Sequence, residues 1–293
     1  MPRYVRVETS HGPQVGTQDA DGSVTPLVWK NGTPVTDLVS LIAEGAAEAR
    51  DDDGAVIEQP RLLAPLARLP RNMMCVGKNY RAHAAEFAGS GYDSSVSGGG
   101  GDADEEPLIV FTKADSSIVG PDEPIVVPAG VTSEVDYEGE LAVVIGKGGR
   151  HIARDDVWDH VFGYTIVNDV TARDLQKQHR QWFLGKSLDT FCPAGPAVVT
   201  ADEVDGANLR LRTWVNGELR QDATTDLLIH DIPAVVSAIS RSCALVPGDV
   251  IATGTPAGVG IGMTPPVFLA DGDVVEIEIE GIGRLSNPVT TTA

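Results

Sequence analysis

The chain has 293 residues, of which 42 are acidic and 22 are basic, so its formal net charge at pH 7 is −20. A surplus of this sign repels phosphate backbones and anionic headgroups, so neither nucleic acid nor a membrane surface is expected as a partner. Hydrophobic residues make up 42% of the chain, which is enough for a substantial core and excludes disorder of the whole chain. The longest apolar runs fall well short of the roughly 20 residues that cross a bilayer.

The cysteine content favours a reducing compartment. Cys75, Cys192 and Cys243 are too few and too scattered for a disulfide framework, and none of them forms a C-x-x-C pair for zinc or redox chemistry. The first ten residues lack the continuous apolar segment of a signal peptide. We therefore expect a cytoplasmic protein.

Residues 1–70 are predicted to form a small N-terminal α+β domain that ends in a proline-containing linker. Short alternating segments indicate strands, and one amphipathic helix should begin after a cap at Thr36 or Asp37 and continue up to the acidic break Asp51-Asp52-Asp53-Gly54. The main domain then spans residues 71–293.

The main domain is predicted to be a β-rich, mixed α+β fold of rolled or sandwiched sheets. Short apolar strands are separated by Gly and Pro, at 125–127, 141–145, 161–167, 197–199, 209–215, 249–252 and 274–279. Helical patterns are fewer, at 80–87, 171–178 and 232–242. They are too rare for a regular βαβ alternation.

Three acidic residues at strand ends suggest a metal site. Glu138 and Glu140 are two apart in an extended segment, so they should share one face and leave the opposite face open at Gly139. Asp169 follows another apolar strand. Oxygen ligands of this kind suit a hard divalent cation such as Mg²⁺ or Mn²⁺. The alternative is a solvated strand face.

His83 and Glu86 are three residues apart in a helical pattern, which makes them neighbours on one helix face. A carboxylate in that position can orient an imidazole and raise its basicity, as a general base requires. The alternative is an ordinary surface pair.

Lys186 follows a glycine, but the surrounding sequence lacks the spacing and the helix of a P-loop, so ATP is not expected. Beside a metal centre, this lysine would supply a fixed positive charge for an enolate or carboxylate oxygen. The alternative is a solvated lysine. The loop that contains Thr255 does not match a dinucleotide fingerprint, although its backbone N–H groups and the Thr255 hydroxyl could hold a substrate carboxylate.

Residues 88–106 contain serines, four consecutive glycines and several acids. This composition cannot pack a core and predicts a mobile insertion. Because the segment follows His83 and Glu86 directly, it is interpreted either as a surface loop or as the hinge of a lid.

From about residue 73 to residue 289 the chain resembles the fumarylacetoacetate hydrolase family. The similarity is carried by these motifs in order: Val76-Gly77-Lys78-Asn79-Tyr80, His83-x-x-Glu86, Val135-Asp136-Tyr137-Glu138-Gly139-Glu140, Gly163-Tyr164-Thr165-Ile166-Val167-Asn168-Asp169-Val170, Arg173-Asp174-Leu175-Gln176, Gly185-Lys186, Asp189-Thr190-Phe191, Pro247-Gly248-Asp249-Val250-Ile251 and Gly254-Thr255-Pro256. The stretch 254–269 is most similar to the fumarylacetoacetate hydrolase domain-containing branch, which includes acylpyruvate hydrolases and oxaloacetate decarboxylases and tautomerases.

The resemblance implies a fold and a set of site residues. The fold is a β-roll catalytic domain, and the assembly is a homodimer. One Mg²⁺ or Mn²⁺ per subunit is implied, with the ligands Glu138, Glu140 and Asp169. The implied proton-transfer pair is His83 and Glu86, with Lys186 as a further catalytic residue, and the implied substrate contacts are Arg173, Gln176 and Thr255.

The resemblance also implies an activity on a small 2-oxo or 2,4-dioxo acid. We expect a metal-dependent hydrolase that cleaves a C–C bond in acylpyruvate-like or fumarylacetoacetate-like substrates and yields pyruvate-type products. Three alternatives use the same centre: oxaloacetate decarboxylation, oxaloacetate tautomerisation and a 2-hydroxyhepta-2,4-diene-1,7-dioate-type isomerisation. A metal-binding scaffold without turnover is the non-enzymatic alternative.

Overall fold

The structure is a computed structural model that describes residues 3–52, 54–92 and 107–292. Most of its regular elements are strands. In chain order they are β1 (Arg3–Val7), β2 (Gln14–Gln18), β3 (Val24–Trp29), β4 (Ala49–Asp51), β5 (Leu62–Leu63), β6 (Met73–Gly77), β7 (Ile109–Lys113), β8 (Ile118–Val119), β9 (Ile125–Val127), β10 (Val135–Asp136), β11 (Gly139–Ile145), β12 (Val161–Asn168), β13 (Thr171–Ala172), β14 (Cys192–Thr200), β15 (Arg210–Val215), β16 (Glu218–Thr224), β17 (Val250–Ala252), β18 (Val274–Ile279) and β19 (Gly283–Thr291).

The α-helices are short and lie between groups of strands. They are α1 (Leu38–Glu44), α2 (Arg81–Gly89), α3 (Arg173–Gln178), α4 (Phe183–Lys186) and α5 (Ile232–Ser242). This confirms a β-rich, mixed α+β fold. No helix in the described part of the chain has the length and apolar character needed to span a bilayer. The predicted mobile segment 88–106 lies outside the described residues from residue 93 onwards.

Two sheets form the framework. The larger has the order β4-β3-β2-β1-β14-β12-β11-β17-β6-β7, with β5 attached to β1 and β8 to β14. The smaller has the order β16-β15-β18-β19-β9, and β10 and β13 form a separate pair. The strictly alternating segment predicted at 274–279 is β18, and its valine and isoleucine side chains are buried or partly buried as the alternation requires.

Strand β11 is buried on both faces because the sheets and helices cover it from two sides. Leu141, Val143 and Ile145 pack in the core between the two sheets. Ala142 and Val144 face the opposite side, in the core that also contains residues of α1. The alternation of side chains along the strand therefore divides β11 between two hydrophobic cores.

The N-terminal strands join the larger sheet, since β1 pairs with β14 in the register Arg3↔Val199. Helix α1 begins after Asp37, whose carboxylate accepts a hydrogen bond from Ser40 N at 2.9 Å. It ends at Gly45 (φ +94°), well before the acidic residues where the sequence pattern placed its end. The division of the chain near residue 70 stays a prediction.

The pairing of β11 with β12 creates the candidate site. These strands are antiparallel in the register Gly139↔Asn168, so the start of β11 lies beside the end of β12. Asp169 N donates a hydrogen bond to Glu138 O at 2.8 Å. Residues 29 to 31 positions apart in the sequence are thereby brought together at one end of the sheet.

Candidate metal centre and active site

The acidic residues Glu138, Glu140 and Asp169 meet at this end of the sheet, and all of them are buried. One carboxylate oxygen from each lies within 4.8 Å of the others. Glu140 Oε2 also accepts a hydrogen bond from Gly254 N at 2.8 Å, which fixes its side chain. The structure thus places the three predicted ligands in one cluster.

Lys186, at the end of α4, lies between two of these carboxylates. Its Nζ is 2.7 Å from Glu138 Oε2 and 2.6 Å from Asp169 Oδ2. The side chain is only 2% exposed, so the alternative of a solvated lysine is wrong. Its ammonium group offsets part of the negative charge that the cluster would otherwise bury.

Lys113 is a second buried lysine at the cluster, and the sequence analysis missed it. Its Nζ lies 2.7 Å from Asp169 Oδ1 and donates to Val170 O at 3.0 Å. A lone lysine at the end of an apolar strand gives no local signal of this role. The contact depends on the pairing of β7 at the far edge of the sheet.

Gly139, between the two glutamates, is packed rather than open. A β-carbon at this position would overlap Thr213 Oγ1 of β15 and lie 3.2 Å from Gln221 Oε1 of β16. The expectation of an open face opposite the glutamates is therefore wrong, because the smaller sheet covers it. The glycine allows that sheet to approach the strand that carries Glu138 and Glu140.

Arg173 and Asp136 form a buried ion pair next to the cluster. Arg173 Nε donates to Asp136 Oδ2 at 2.9 Å, while its Nη2 lies 2.6 Å from Glu138 Oε1. Arg173 Nη1 also donates to Gln176 Oε1 at 3.1 Å. The structure therefore places Arg173 and Gln176 at the candidate site, and Arg173 contacts a predicted metal ligand directly.

The buried charges shift each other's ionisation. Although burial opposes ionisation, Lys186 and Arg173 hold the pKa of Glu138 well below its usual range. Burial, together with the charges of Asp169 and Glu138, outweighs the opposing charge of Lys186 and raises the pKa of Glu140 well above its usual value. Burial favours a neutral amine at Lys186, but Asp169 and Glu138 outweigh it and raise the lysine pKa. The two glutamates therefore differ strongly in proton affinity.

His83 and Glu86 lie on α2, as predicted, with Nδ1 of the histidine 3.3 Å from Oε2 of the glutamate. His83 is buried, so the alternative of an ordinary surface pair does not hold. The Glu86 carboxylate also accepts a hydrogen bond from Gly258 N, at 3.1 Å to Oε1. It occupies the space that a side chain at Gly262 would need.

Thr255 lies in the pocket, but its hydroxyl is already engaged. Thr255 Oγ1 donates to Gly139 O at 3.0 Å and accepts from Gln221 Nε2 at 2.8 Å. Gln221 Nε2 also donates to Pro256 O, and its Oε1 accepts from Gly139 N. Gln221, another residue that sequence analysis missed, therefore links the strand of the glutamates to the loop that contains Thr255.

The cluster opens into a pocket with an aromatic wall. His83, Glu138, Glu140, Arg173, Lys186 and Thr255 line it together with Phe87, Phe111 and Trp182. Trp182 makes edge-to-face contacts with both phenylalanines, at centroid distances of 6.0 Å and 5.2 Å. The pocket thus combines carboxylates of the cluster, the histidine of the His–Glu pair and an apolar wall.

The donor set fits a hard divalent cation. It consists of carboxylate oxygens on rigid strand ends, and Asp169 Oδ1 accepts no hydrogen bond of normal geometry from the described residues, despite the nearby Lys113. Within the described residues, the cluster consists of carboxylates alone, and these are the oxygen donors that Mg²⁺ and Mn²⁺ favour. Cys75 and Cys192 lie nearby, but burial raises the pKa of both thiols, to about 12 for Cys192.

Comparison with known proteins identifies the family of the chain. A family model described as fumarylacetoacetate (FAA) hydrolase C-terminal matches residues 72–290. Oxaloacetate tautomerase YisK of Bacillus subtilis (strain 168) is 46% identical over 252 residues, which are 85% of this chain and 80% of that protein.

Solved structures of the same kind share the whole fold. The fumarylacetoacetate hydrolase EaFAH from psychrophilic Exiguobacterium antarcticum is 43% identical, with a TM-score of 0.83 and full coverage of both chains. A 2-hydroxyhepta-2,4-diene-1,7-dioate isomerase from Mycobacterium marinum is 37% identical, with a TM-score of 0.78 and full coverage of both chains. These matches confirm the resemblance drawn from the motifs, and the chain belongs to the fumarylacetoacetate hydrolase family.

Proposed function

We propose that this enzyme catalyses metal-dependent proton transfer at carbon 3 of a 2-oxo acid, and that its reaction is the keto–enol tautomerisation of oxaloacetate. The observation that carries the proposal is a buried carboxylate cluster that shares one pocket with His83, the buried histidine of the His–Glu pair. The similarity to a protein named oxaloacetate tautomerase supports the choice of substrate. Tautomerisation needs only an acid–base group and a stabilised enolate, and both have candidates in this pocket.

Glu138, Glu140 and Asp169 are the proposed ligands of one divalent cation, Mg²⁺ or Mn²⁺. Such a cation, when bound, supplies Lewis-acid polarisation of the 2-oxo group. Because two strand ends carry the ligands, their positions are fixed by the β11–β12 pairing before any ion arrives.

His83 is the proposed acid–base group. Glu86 contacts Nδ1 of the imidazole, so Nε2 is the nitrogen that takes the proton from carbon 3 and returns it. Lys186 and Arg173 place two positive charges beside the carboxylates, where they offset the negative charge that develops on the enolate.

Arg173, Gln176 and Thr255 are the proposed substrate contacts, because their side chains line the pocket. The Thr255 hydroxyl donates to Gly139 O, so it would have to change partner before it could donate to a substrate oxygen. Arg173 can attract a carboxylate of a dicarboxylic acid by charge without breaking its pair with Asp136. The remaining part of the proposal is a homodimeric assembly, which family membership supports.

A second candidate is hydrolysis of a C–C bond in a 2,4-dioxo acid, and the similarity to a protein named fumarylacetoacetate hydrolase favours it. In that reaction His83 would deprotonate a water molecule that attacks the distal carbonyl. The C–C bond then breaks, leaving a carboxylic acid and a pyruvate enolate that takes up a proton. The two reactions differ in whether the histidine proton comes from carbon or from water.

An assay of the purified protein separates the candidates. Oxaloacetate and an acylpyruvate are followed by enol absorbance with Mg²⁺, with Mn²⁺ and with chelator, while pyruvate and CO₂ are quantified. Metal-dependent enol–keto interconversion of oxaloacetate without pyruvate supports the tautomerase. Pyruvate plus a second acid supports the hydrolase, and pyruvate plus CO₂ supports a decarboxylase. No metal-dependent change in either compound would refute the proposal.

A further inference from the structure

We propose that Asp136 is a positioning residue: it holds residues 254–262 in the conformation that binds Glu86, and so fixes the His83–Glu86 pair over the carboxylate cluster. The inference rests on the proposed role of this pair in proton transfer. Residues 254–262 are called the clasp loop below, because they contact both the cluster and α2.

The Asp136 carboxylate accepts hydrogen bonds from consecutive backbone groups of the clasp loop. Its Oδ1 accepts a hydrogen bond from Gly260 N at 2.7 Å, and its Oδ2 accepts one from Ile261 N at 3.2 Å. The side chain is fully buried. A buried carboxylate that receives two N–H groups fixes the backbone that carries them, since leaving either group unpaired would be costly.

The clasp loop in turn holds Glu86. Gly258 N donates to both carboxylate oxygens of Glu86, at 3.1 Å and 3.3 Å. Gly262 leaves the space that this carboxylate occupies, since any β-carbon there would overlap it. Gly258 and Gly262 lie on either side of the residues that Asp136 binds. The position of Glu86 is therefore set by a loop that is itself anchored on Asp136.

Asp136 is also linked to a proposed metal ligand through Arg173. Arg173 Nη2 lies 2.9 Å from Asp136 Oδ2 and 2.6 Å from Glu138 Oε1, so one guanidinium joins the two carboxylates. The next residue adds a second anchor, because Tyr137 OH donates to Gly258 O at 2.8 Å. In this segment, Asp136 and Tyr137 bind the clasp loop, and the next residue, Glu138, belongs to the carboxylate cluster.

The competing explanation is that Asp136 is only the counter-ion of Arg173. If Asp136 is only a counter-ion, its substitution should lower the global free energy of unfolding without making α2 open more often than the rest of the fold. A positioning residue would instead control the local opening of α2 and the clasp loop. Amide hydrogen exchange, resolved by segment, distinguishes these two roles.

The test compares wild type with Asp136→Asn in the presence of Mg²⁺. The amide keeps the shape of the side chain but has a single acceptor oxygen, so one clasp-loop N–H loses its partner. We expect exchange in Arg81–Gly89 and in 258–262 to become about tenfold faster, equivalent to about 1.4 kcal/mol of local opening free energy. Exchange in β11 and β12 should stay unchanged, and kcat should fall more than KM changes.

Asp249→Asn is the matched control. Asp249 is also a buried carboxylate paired with an arginine, with Arg71 Nε 2.9 Å from its Oδ1, and it accepts a backbone hydrogen bond from Val246 N at 2.8 Å. It makes the same kind of contacts without touching the clasp loop. Its substitution should therefore leave exchange in α2 at the wild-type rate.

Tyr137→Phe keeps the test decisive if Asp136→Asn does not fold. It removes only the hydroxyl that donates to Gly258 O, and faster exchange in the same two segments is expected. If Asp136→Asn folds and its exchange is unchanged, the proposal is overturned. If Asp136→Asn does not fold, unchanged exchange in Tyr137→Phe overturns it. Equal acceleration of α2 by Asp249→Asn would also overturn it. If the wild type turns over neither oxaloacetate nor acylpyruvates, the proposed function fails, whereas the exchange result still stands.

Discussion

Replacement of Lys186 by methionine tests whether this lysine is the internal counter-ion of the carboxylate cluster. Methionine fills a similar volume without charge. Removal of one partner of a buried ion pair costs about 3–5 kcal/mol, and we expect the lower end because Arg173 and Lys113 still pair with Glu138 and Asp169. About 3 kcal/mol lowers the unfolding temperature of a domain of this size by about 6–12 °C.

The effect of metal on the same variant is the sharper part of the prediction. The Lys186 ammonium contacts two oxygens of the proposed ligand set, so it competes with a cation for them. We therefore expect saturating Mg²⁺ or Mn²⁺ to raise the unfolding temperature more in Lys186→Met than in wild type. Turnover of oxaloacetate should nevertheless fall, because the charge beside the enolate is lost.

Thermal unfolding in chelator and in excess metal measures both effects. The control is Lys30→Met, which breaks the ion pair between Lys30 and Glu48. Because the Lys30 side chain is 62% exposed, this substitution should shift the unfolding temperature by less than about 2 °C. If metal-free Lys186→Met were as stable as wild type, the counter-ion assignment would fail. An equal metal-induced shift in both proteins would show that lysine and metal do not share these oxygens.

Three further predictions concern other residues of the site. Because the pKa of Glu140 is raised, the folded metal-free protein keeps a proton on this carboxyl that the unfolded chain releases. The protonated Glu140 therefore contributes to the free energy of unfolding below about pH 4.5, and this contribution is lost as pH rises through the raised pKa. Metal binding should correspondingly tighten as pH rises and should release protons, as calorimetry in buffers of different ionisation enthalpy would show. Glu140→Gln should abolish this release, and metal binding without proton release at any pH would contradict the raised pKa. His83→Gln should lower kcat by about 10²–10⁴ while the metal-induced rise in unfolding temperature persists, and retention of wild-type turnover would exclude the acid–base role. Gln221→Leu leaves the Gly139 N–H without its acceptor, so it should lower the free energy of unfolding, measured by chemical denaturation, by about 1–3 kcal/mol and should weaken metal binding. The control Asp222→Asn, on the exposed side of the same strand, should change neither quantity.

The elements that follow strong periodicity were predictable from the sequence. Residues 125–127 and 274–279 are strands and 232–242 is a helix, with the predicted bounds. These segments combine clear alternation or amphipathicity with Gly or Pro nearby. The helix predicted at 171–178 begins only at Arg173, because residues 171 and 172 pair with β10 instead. Such pairing with a distant strand leaves no local pattern.

The site was predictable where its residues lie close together in the sequence. Glu138 and Glu140 share a strand, and His83 and Glu86 share a helix face, so spacing alone related them. Lys113 and Gln221 were not predictable, since each reaches the site through a strand that is more than 30 residues from the groups it contacts. Their side chains would suit a solvated surface equally well.

Because of the tight packing at Gly139, the residue that β11 can carry at this position depends on the residues of the smaller sheet that face it. Thr213 and Gln221 occupy the volume that a side chain at position 139 would fill. A chimera that imports a larger residue at 139 would therefore push the β15–β16 hairpin away and break the hydrogen bonds of Gln221. The three positions form an epistatic unit, and a functional exchange of this strand between relatives has to transfer the hairpin with it.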